Sequence, residues 1–84
     1  MNQKILTVQI LTPEGPLFEG TAQAVVLPCM VSPIEVLPGH GAIISALDAG
    51  TIRIVGGAEE QRFPIRSGVV KVKDDTVTVC AETV

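Results

Sequence analysis

The sequence is poor in the residues that bind nucleic acids. Its 84 residues include no Trp, no Tyr and only two Phe, and six Lys or Arg stand against nine Asp or Glu, for a net charge of −3. Nucleic-acid binding needs a clustered basic surface, and binding of single strands also needs aromatic rings on which bases stack. The composition therefore argues against nucleic acid as a partner.

The sequence also lacks a long apolar run. A helix that spans a bilayer needs about 18–20 apolar residues, whereas the best runs here are Ala24–Leu27 and Ala42–Ile44. The N-terminal residues Met1–Lys4 lead into an alternating segment without the pattern of a cleaved signal peptide. We therefore expect a protein inside the cell, with reduced thiols and no direct insertion into the bilayer.

Residues that carry out catalysis are scarce. The only histidine, His40, lies in a Pro-Gly-His-Gly turn, and Cys29 and Cys80 form no CxxC pair; the phosphate-binding pattern GxxxxGK[ST] is absent. We expect no catalytic residue, no metal and no cofactor. A small thiol enzyme stays open as an alternative, because the sequence does not tell whether Cys29, Cys80 and His40 converge in space.

What the chain does contain is typical of one small folded domain, residues 1–84. Apolar residues make up 46% of the sequence, as in globular proteins, and charged residues only 18%, below an average of about 25%. A surface with so little charge indicates that part of it is covered by a partner.

Apolar and polar residues alternate along most of the chain, as in half-buried strands. The alternating segments are Ile5–Leu11, Thr51–Ile54, Arg62–Arg66 and a C-terminal hairpin whose strands, 70–73 and 76–81, flank an Asp74-Asp75 turn. Within this hairpin Cys80 falls on the outer face. Further turns are predicted at 13–16, 38–41, 48–50 and Gly56-Gly57.

This pattern predicts an all-β fold: a two-sheet antiparallel β-sandwich or flattened barrel. Only Gly41–Leu47, where Ile43, Ile44 and Leu47 have helical spacing, could form a helical turn, so at most one short helix is expected.

Four blocks of the sequence, in order, resemble those of one protein family. They are Leu11-Thr12-Pro13-Glu14-Gly15-Pro16-Leu17-Phe18-Glu19-Gly20, Val36-Leu37-Pro38-Gly39-His40-Gly41, Leu47-Asp48-Ala49-Gly50-Thr51-Ile52-Arg53-Ile54, and the closing hairpin from Ser67-Gly68-Val69-Val70-Lys71-Val72 to Asp75-Thr76-Val77-Thr78-Val79-Cys80-Ala81-Glu82. The family is the epsilon subunit of F-type ATP synthases. The resemblance covers almost the whole chain.

The resemblance implies a non-catalytic subunit of the rotor in the central stalk. Members of the family bind the gamma subunit along one side and the polar loops of the c-ring at one end, and they couple ion-driven rotation to ATP synthesis. It implies a peripheral location on the cytoplasmic face of the bacterial inner membrane, in preference to the stromal face of thylakoids. An unrelated intracellular β-sandwich that binds proteins is the alternative.

Alignment with the family places the 29–35 loop nearest the c-ring. It implies Val31, Ser32, Pro33 and His40 as candidate c-ring contacts. The loop lacks the glycines that are usual in the family, which leaves its shape open. Met30 and Val31 would form an apolar tip if exposed, and would be core residues if buried.

The chain also differs from many relatives in its length. It stops at Val84, after the last predicted strand, where many relatives continue into a helical hairpin that inhibits ATP hydrolysis. We therefore expect no helix-mediated inhibition and no nucleotide binding by this chain, whether it is a natural short form or a shortened one.

Overall fold

The computed structural model describes residues 5–56 and 59–84. These residues form eight strands: β1 (Leu6–Thr12), β2 (Gly15–Ala22), β3 (Ala24–Leu27), β4 (Ile34–Val36), β5 (Ile43–Leu47), β6 (Gly50–Gly56), β7 (Glu59–Lys73) and β8 (Thr76–Thr83). No helix forms within the described ranges. The all-β prediction is confirmed.

The hydrogen-bonded strands follow the order β2-β1-β8-β7-β6-β3-β4, and β5 pairs with β7 as well. The path does not close, so the fold is a sandwich and not a barrel. The longest strand, β7, belongs to both layers: residues 59–65 pair with β6, while residues 68–72 pair with β5. Its pairing with β8 is irregular between Ile65 and Ser67, at the junction of these two halves.

The core lies between the layers and is entirely apolar among the described residues. Alternate residues of β1 are buried, namely Leu6, Val8 and Ile10, and so are Ile52 and Ile54 of β6. At one edge the rings of Phe18 and Phe63 lie 5.8 Å apart between centroids, so that β2 and the first half of β7 are brought together. The predicted inward faces of β1 and β6 are confirmed.

The C-terminal hairpin forms as predicted. Lys73 pairs with Thr76, and the two intervening residues, Asp74 and Asp75, have positive φ values of 51° and 59°. Two consecutive residues with positive φ are the signature of a type I′ turn, whose twist matches that of the strands. The predicted connection at Gly56-Gly57 lies partly outside the described residues, because Gly57 is not among them.

Two features differ from the sequence-based interpretation. Residues 43–47 form strand β5 and no helical turn, since pairing with β7 gives them a period of two, in which Ile44 is 74% exposed and Leu47 is buried. The pairing of β1 with β8 is parallel, whereas all other pairs of the sandwich are antiparallel within the described ranges.

Candidate partner-binding surfaces

The loop between β3 and β4 carries the most exposed large apolar side chain of the described chain, that of Val31. Met30 is 63% exposed and Val31 is 96% exposed, and Ser32 and Pro33 are exposed beside them. We call residues 30–33 the apolar tip. The sequence left open whether Met30 and Val31 are exposed or buried, and the structure shows that both are exposed.

The base of this loop is held by the neighbouring strand β5. The Met30 amide donates to the Ala46 carbonyl at 3.1 Å, Cys29 bridges to Leu47, and the Asp48 amide donates to the Pro28 carbonyl at 2.7 Å. These bonds fix the N-terminal end of the tip against β5, and the other end leads into β4, which pairs with β3 from Ile34 onward. The tip is therefore presented on a rigid support.

The missing glycines do not distort the loop. Among the described residues, positive φ values occur at Gly15, Gly39, Asp74 and Asp75, and none of these lies between 29 and 35. The loop thus uses backbone conformations that any residue adopts.

His40, the fourth predicted contact, lies in a different tight turn. The His40 amide donates to the Leu37 carbonyl at 3.0 Å, and Gly39 has a φ of 90°. A proline followed by a residue of positive φ is typical of a type II turn, in which glycine is favoured at the second position. The His40 side chain is exposed, and its Nδ1 lies 2.8 Å from the Gly41 carbonyl oxygen. Because a carbonyl only accepts, this contact is a hydrogen bond when Nδ1 carries a proton.

The structure separates this turn from the apolar tip. The tip is bonded to Ala46, which pairs with Val69 on β7, while the turn is bonded to Asp75, just beyond the end of the same strand. From Val69 to Lys73, the last residue of β7, the strand rises four residues, which is roughly 13 Å. Val31, Ser32 and Pro33 therefore form one group and His40 lies apart from them.

A row of apolar residues that the sequence analysis did not single out crosses the outer face of the sandwich. Leu11, Cys80, Val69 and Ala46 are aligned across β1, β8, β7 and β5 by their register. Cys80, Val69 and Ala46 are exposed, Val69 by 49%. We call these four residues the apolar strip.

A shallow groove of about 390 Å³ opens at the Leu11 and Cys80 end of the apolar strip, where Gly68 also lines it. A solvated sheet face is expected to carry polar residues, and these four apolar neighbours interrupt that alternation. The interruption is the sequence signal by which the apolar strip could have been found. The prediction that Cys80 lies on the outer face is confirmed by its exposure.

The residues with reactive side chains do not converge. Both thiols are free; Cys29 is buried and Cys80 exposed. The line from Cys29 through Leu47 and Gly68 to Ala81 crosses three strand spacings, which is roughly 14 Å. His40 lies farther along β7, at the hairpin turn. The thiol enzyme would need these groups in contact, so the geometry disfavours it.

No cluster of three or more His, Cys, Asp or Glu that could hold a metal ion occurs in residues 5–56 and 59–84. In the same residues, no helix is long and apolar enough to cross a membrane.

The most strongly perturbed titratable group lies on the outer face of β6 and β7. Glu60 accepts hydrogen bonds from Arg53 Nε at 2.9 Å and from Arg62 Nε at 2.8 Å. These two bonds lower the pKa of Glu60 from 4.5 to about 2, and the bond from Arg53 has the larger effect. The Arg53 and Arg62 side chains are 44% and 69% exposed, and exposed ion pairs contribute little to stability. We interpret the cluster as a surface ion-pair network that links β6 and β7.

Comparison with known protein families decides what kind of domain this is. Residues 5–84 match the family described as the β-sandwich domain of the ATP synthase delta/epsilon chain. The chain belongs to this family. The match spans nearly the whole sequence, so the alternative of an unrelated sandwich is wrong.

Individual members of the delta/epsilon family agree with this assignment. The ATP synthase epsilon chain of Synechococcus sp. (strain CC9311) is 35% identical over 74 residues, which cover 88% of this chain and 55% of that protein. The epsilon chain of Hydrogenovibrio crunogenus is 37% identical over 78 residues, covering 93% of this chain and 54% of that protein. The chain thus spans a little over half the length of these curated relatives.

Solved structures share the fold of this delta/epsilon domain. A chain in the cryo-EM structure of the Euglena gracilis mitochondrial ATP synthase, comprising OSCP, F1 and c-ring, superposes with a TM-score of 0.87 at 16% identity, over 94% of this chain and 51% of that one. A chain from the central stalk and c-ring of the Tetrahymena thermophila mitochondrial enzyme gives 0.78 at 18% identity, over 96% and 65%. At these identities the likeness concerns the fold.

Proposed function

We propose that this chain is a rotor subunit of an ATP synthase, which bridges the gamma subunit and the c-ring and couples ion-driven rotation to ATP synthesis. The observation that carries the proposal is the family match over residues 5–84. In this role the chain supplies binding surfaces and stiffness, and no catalytic group. The separation of Cys29, Cys80 and His40 supports that part of the proposal.

The apolar tip is the proposed contact with the c-ring, through Val31, Ser32 and Pro33. Val31 is 96% exposed, and burying an exposed valine of this kind is favourable by about 1.5–3 kcal/mol. The loop is already anchored to β5, so little conformational entropy is lost when it docks. His40 is proposed as a second contact with the c-ring, separate from the tip because it lies at the other end of β5.

The apolar strip is the proposed contact with the gamma subunit. It supplies adjacent apolar side chains on one outer face, and apolar residues are found at the centre of stable interfaces. The low overall charge of the chain, 18% of residues, supports a surface that is covered in the assembled enzyme. As part of the synthase, the chain is proposed to lie on the cytoplasmic face of the bacterial inner membrane.

Two substitutions test these contacts separately. Val31→Asp places a charge on the apolar tip, and Val69→Lys places one on the apolar strip. Val84→Asp is the matched control, since Val84 is 80% exposed and belongs to neither surface. Binding of each purified variant to immobilised c-ring and to the immobilised gamma subunit is measured by surface plasmon resonance.

We expect Val31→Asp to weaken c-ring binding by about 30-fold, the loss typical of a central contact, and to leave gamma binding unchanged. Val69→Lys is expected to show the opposite pattern, and Val84→Asp to bind both partners like the parent. Parent protein that binds neither partner would refute the rotor assignment. Variants that all bind like the parent would refute the two surfaces.

A further inference from the structure

The hairpin turn between β7 and β8 is bonded to two distant segments through a single residue. The Asp75 carboxylate oxygen Oδ1 accepts the amide of Gly39 at 2.7 Å, across 36 residues of sequence. The backbone carbonyl of the same Asp75 accepts the amide of Thr7, at the start of β1, at 2.9 Å. Asp75 therefore joins the hairpin, β1 and the turn that carries His40.

The turn that carries His40 has few other ties. Segment 37–42 lies between the end of β4 and the start of β5. Its other hydrogen bonds in the described chain, from His40 to the carbonyls of Leu37 and Gly41, are internal to the segment. The bond from Gly39 to Asp75 is thus the one hydrogen bond in the described residues that fixes this segment to another part of the fold.

The geometry of both partners suits this bond. Gly39 has a φ of 90° and Asp75 a φ of 59°. Each residue therefore has the positive φ that its tight turn requires, so that the turn fixes its position. An ionised carboxylate that accepts an amide proton makes a charge-assisted bond, which is shorter and stronger than a neutral one. At 2.7 Å the bond has the length expected of that class.

We propose that Asp75 is a positioning residue, which sets the place of the Pro38–His40 turn and thereby presents His40 to a partner surface. The second half of this statement rests on the proposed function, in which His40 is a candidate contact. The first half concerns the free protein and is tested there.

Amide hydrogen exchange, followed by NMR, tests the positioning role. Asp75→Gly removes the carboxylate and keeps the left-handed backbone, which glycine adopts readily. Asp74→Gly is the matched control: it makes the same chemical change at the adjacent residue, which also has positive φ. Asp75→Asn retains a carbonyl acceptor and a residue type that tolerates this conformation.

We expect exchange of the Gly39 amide to accelerate about tenfold or more in Asp75→Gly, given the strength of bonds to charged groups. Exchange should change less than about twofold in Asp74→Gly, and most of the protection should return in Asp75→Asn. The Thr7 amide is the internal reference, because its acceptor is a backbone carbonyl that all variants keep. The proposal would be overturned if Gly39 exchange stayed unchanged in Asp75→Gly, or if it accelerated equally in Asp74→Gly. It would also be overturned if the Gly39 and Thr7 amides both lost protection in Asp75→Gly and Asp75→Asn did not restore it.

Binding measurements separate this proposal from the proposed function. If His40 is a c-ring contact, Asp75→Gly should weaken binding to the c-ring several-fold, and Asp75→Asn should restore it. If Gly39 exchange responds as expected while binding to both partners stays at the parent level, the positioning role of Asp75 stands and the His40 contact is refuted.

Discussion

Among the glycines of residues 5–56 and 59–84, Gly68 is the one at which an added carbon would come closest to another atom. It lies on β7 between Leu47 of β5 and Ala81 of β8. A Cβ at Gly68 would lie 2.7 Å from the carbonyl oxygen of Cys80 and 3.2 Å from the Cα of Ala81. Both atoms belong to the backbone of β8, so they cannot move without pulling β8 away from its neighbours.

We expect Gly68→Ala to lower the free energy of unfolding by about 2–3 kcal/mol, the upper part of the range for overpacking. The reason is that a backbone atom yields less easily than the end of a side chain. The whole domain is expected to have roughly 4–13 kcal/mol of stability, so this loss is a large share. In urea, with a slope of about 1–3 kcal/mol/M, the midpoint should fall by about 0.7–3 M.

Gly41→Ala is the matched control for this measurement. A Cβ at Gly41 would meet no atom within 4 Å, and its φ is not among the positive values. Its stability should therefore stay the same or rise by up to about 1 kcal/mol, through reduced entropy of the unfolded chain. A Gly68→Ala variant within about 0.5 kcal/mol of the parent, the usual range for surface substitutions, would refute the reasoning.

Two further predictions concern charge and thiols. Because hydrogen bonds from Arg53 and Arg62 lower the pKa of Glu60 from 4.5 to about 2, its carboxylate stabilises the fold above pH 4.5, and this contribution is lost as the pH falls toward 2. The stability difference between the parent and Glu60→Gln, measured by urea unfolding, should thus shrink over that window; a difference that is constant from pH 5 to pH 2 would contradict the pKa. For the thiols, Cys80 is exposed and Cys29 is buried, so a thiol reagent should label Cys80 in the folded protein at least about tenfold faster, since a buried site reacts only through local opening. Labelling is monitored by mass spectrometry. Equal rates for the two thiols would refute the placement of Cys80 at the surface and Cys29 in the core.

Much of the fold could be predicted because strand alternation and turn chemistry are local signals. The inward faces of β1 and β6 follow from alternation, and the Asp74-Asp75 turn follows from residues that tolerate positive φ. Strand β2 is harder to recognise, because it contains Gly15, Pro16 and Gly20. Such residues are accepted at the edge of a sheet, where fewer hydrogen bonds and neighbours constrain the backbone.

The differences arise where the deciding interaction is distant in sequence. Ile43, Ile44 and Leu47 fit a helical spacing as well as a strand, and pairing with β7 decides for the strand. The parallel pairing of β1 with β8 joins residues about 70 positions apart, such as Thr7 and Thr76, and alternation carries no information on strand direction.

For the candidate site, the sequence predicted residues but not their grouping. Val31, Ser32 and Pro33 stay predicted contacts, now placed on an anchored and exposed loop, while His40 lies at the other end of β5. The position of His40 relative to the other three residues depends on contacts between distant segments, such as the bond from Gly39 to Asp75. A local sequence pattern does not show such a contact.

The strand β7 explains how a small sandwich could carry load between the two proposed surfaces. The apolar tip is bonded to β5, β5 is paired along its five residues with β7, and β7 is paired with β8, which carries Cys80 of the apolar strip. The route from tip to strip therefore runs through backbone hydrogen bonds at every step. A net contribution of about 0.5–1.5 kcal/mol per bond is small, but the five residue pairs between β5 and β7 would have to separate together. Since β7 is also the strand that both layers share, displacing the tip relative to Cys80 on β8 would require breaking a ladder and not only sliding apolar side chains. A bridge that couples rotation needs this kind of stiffness.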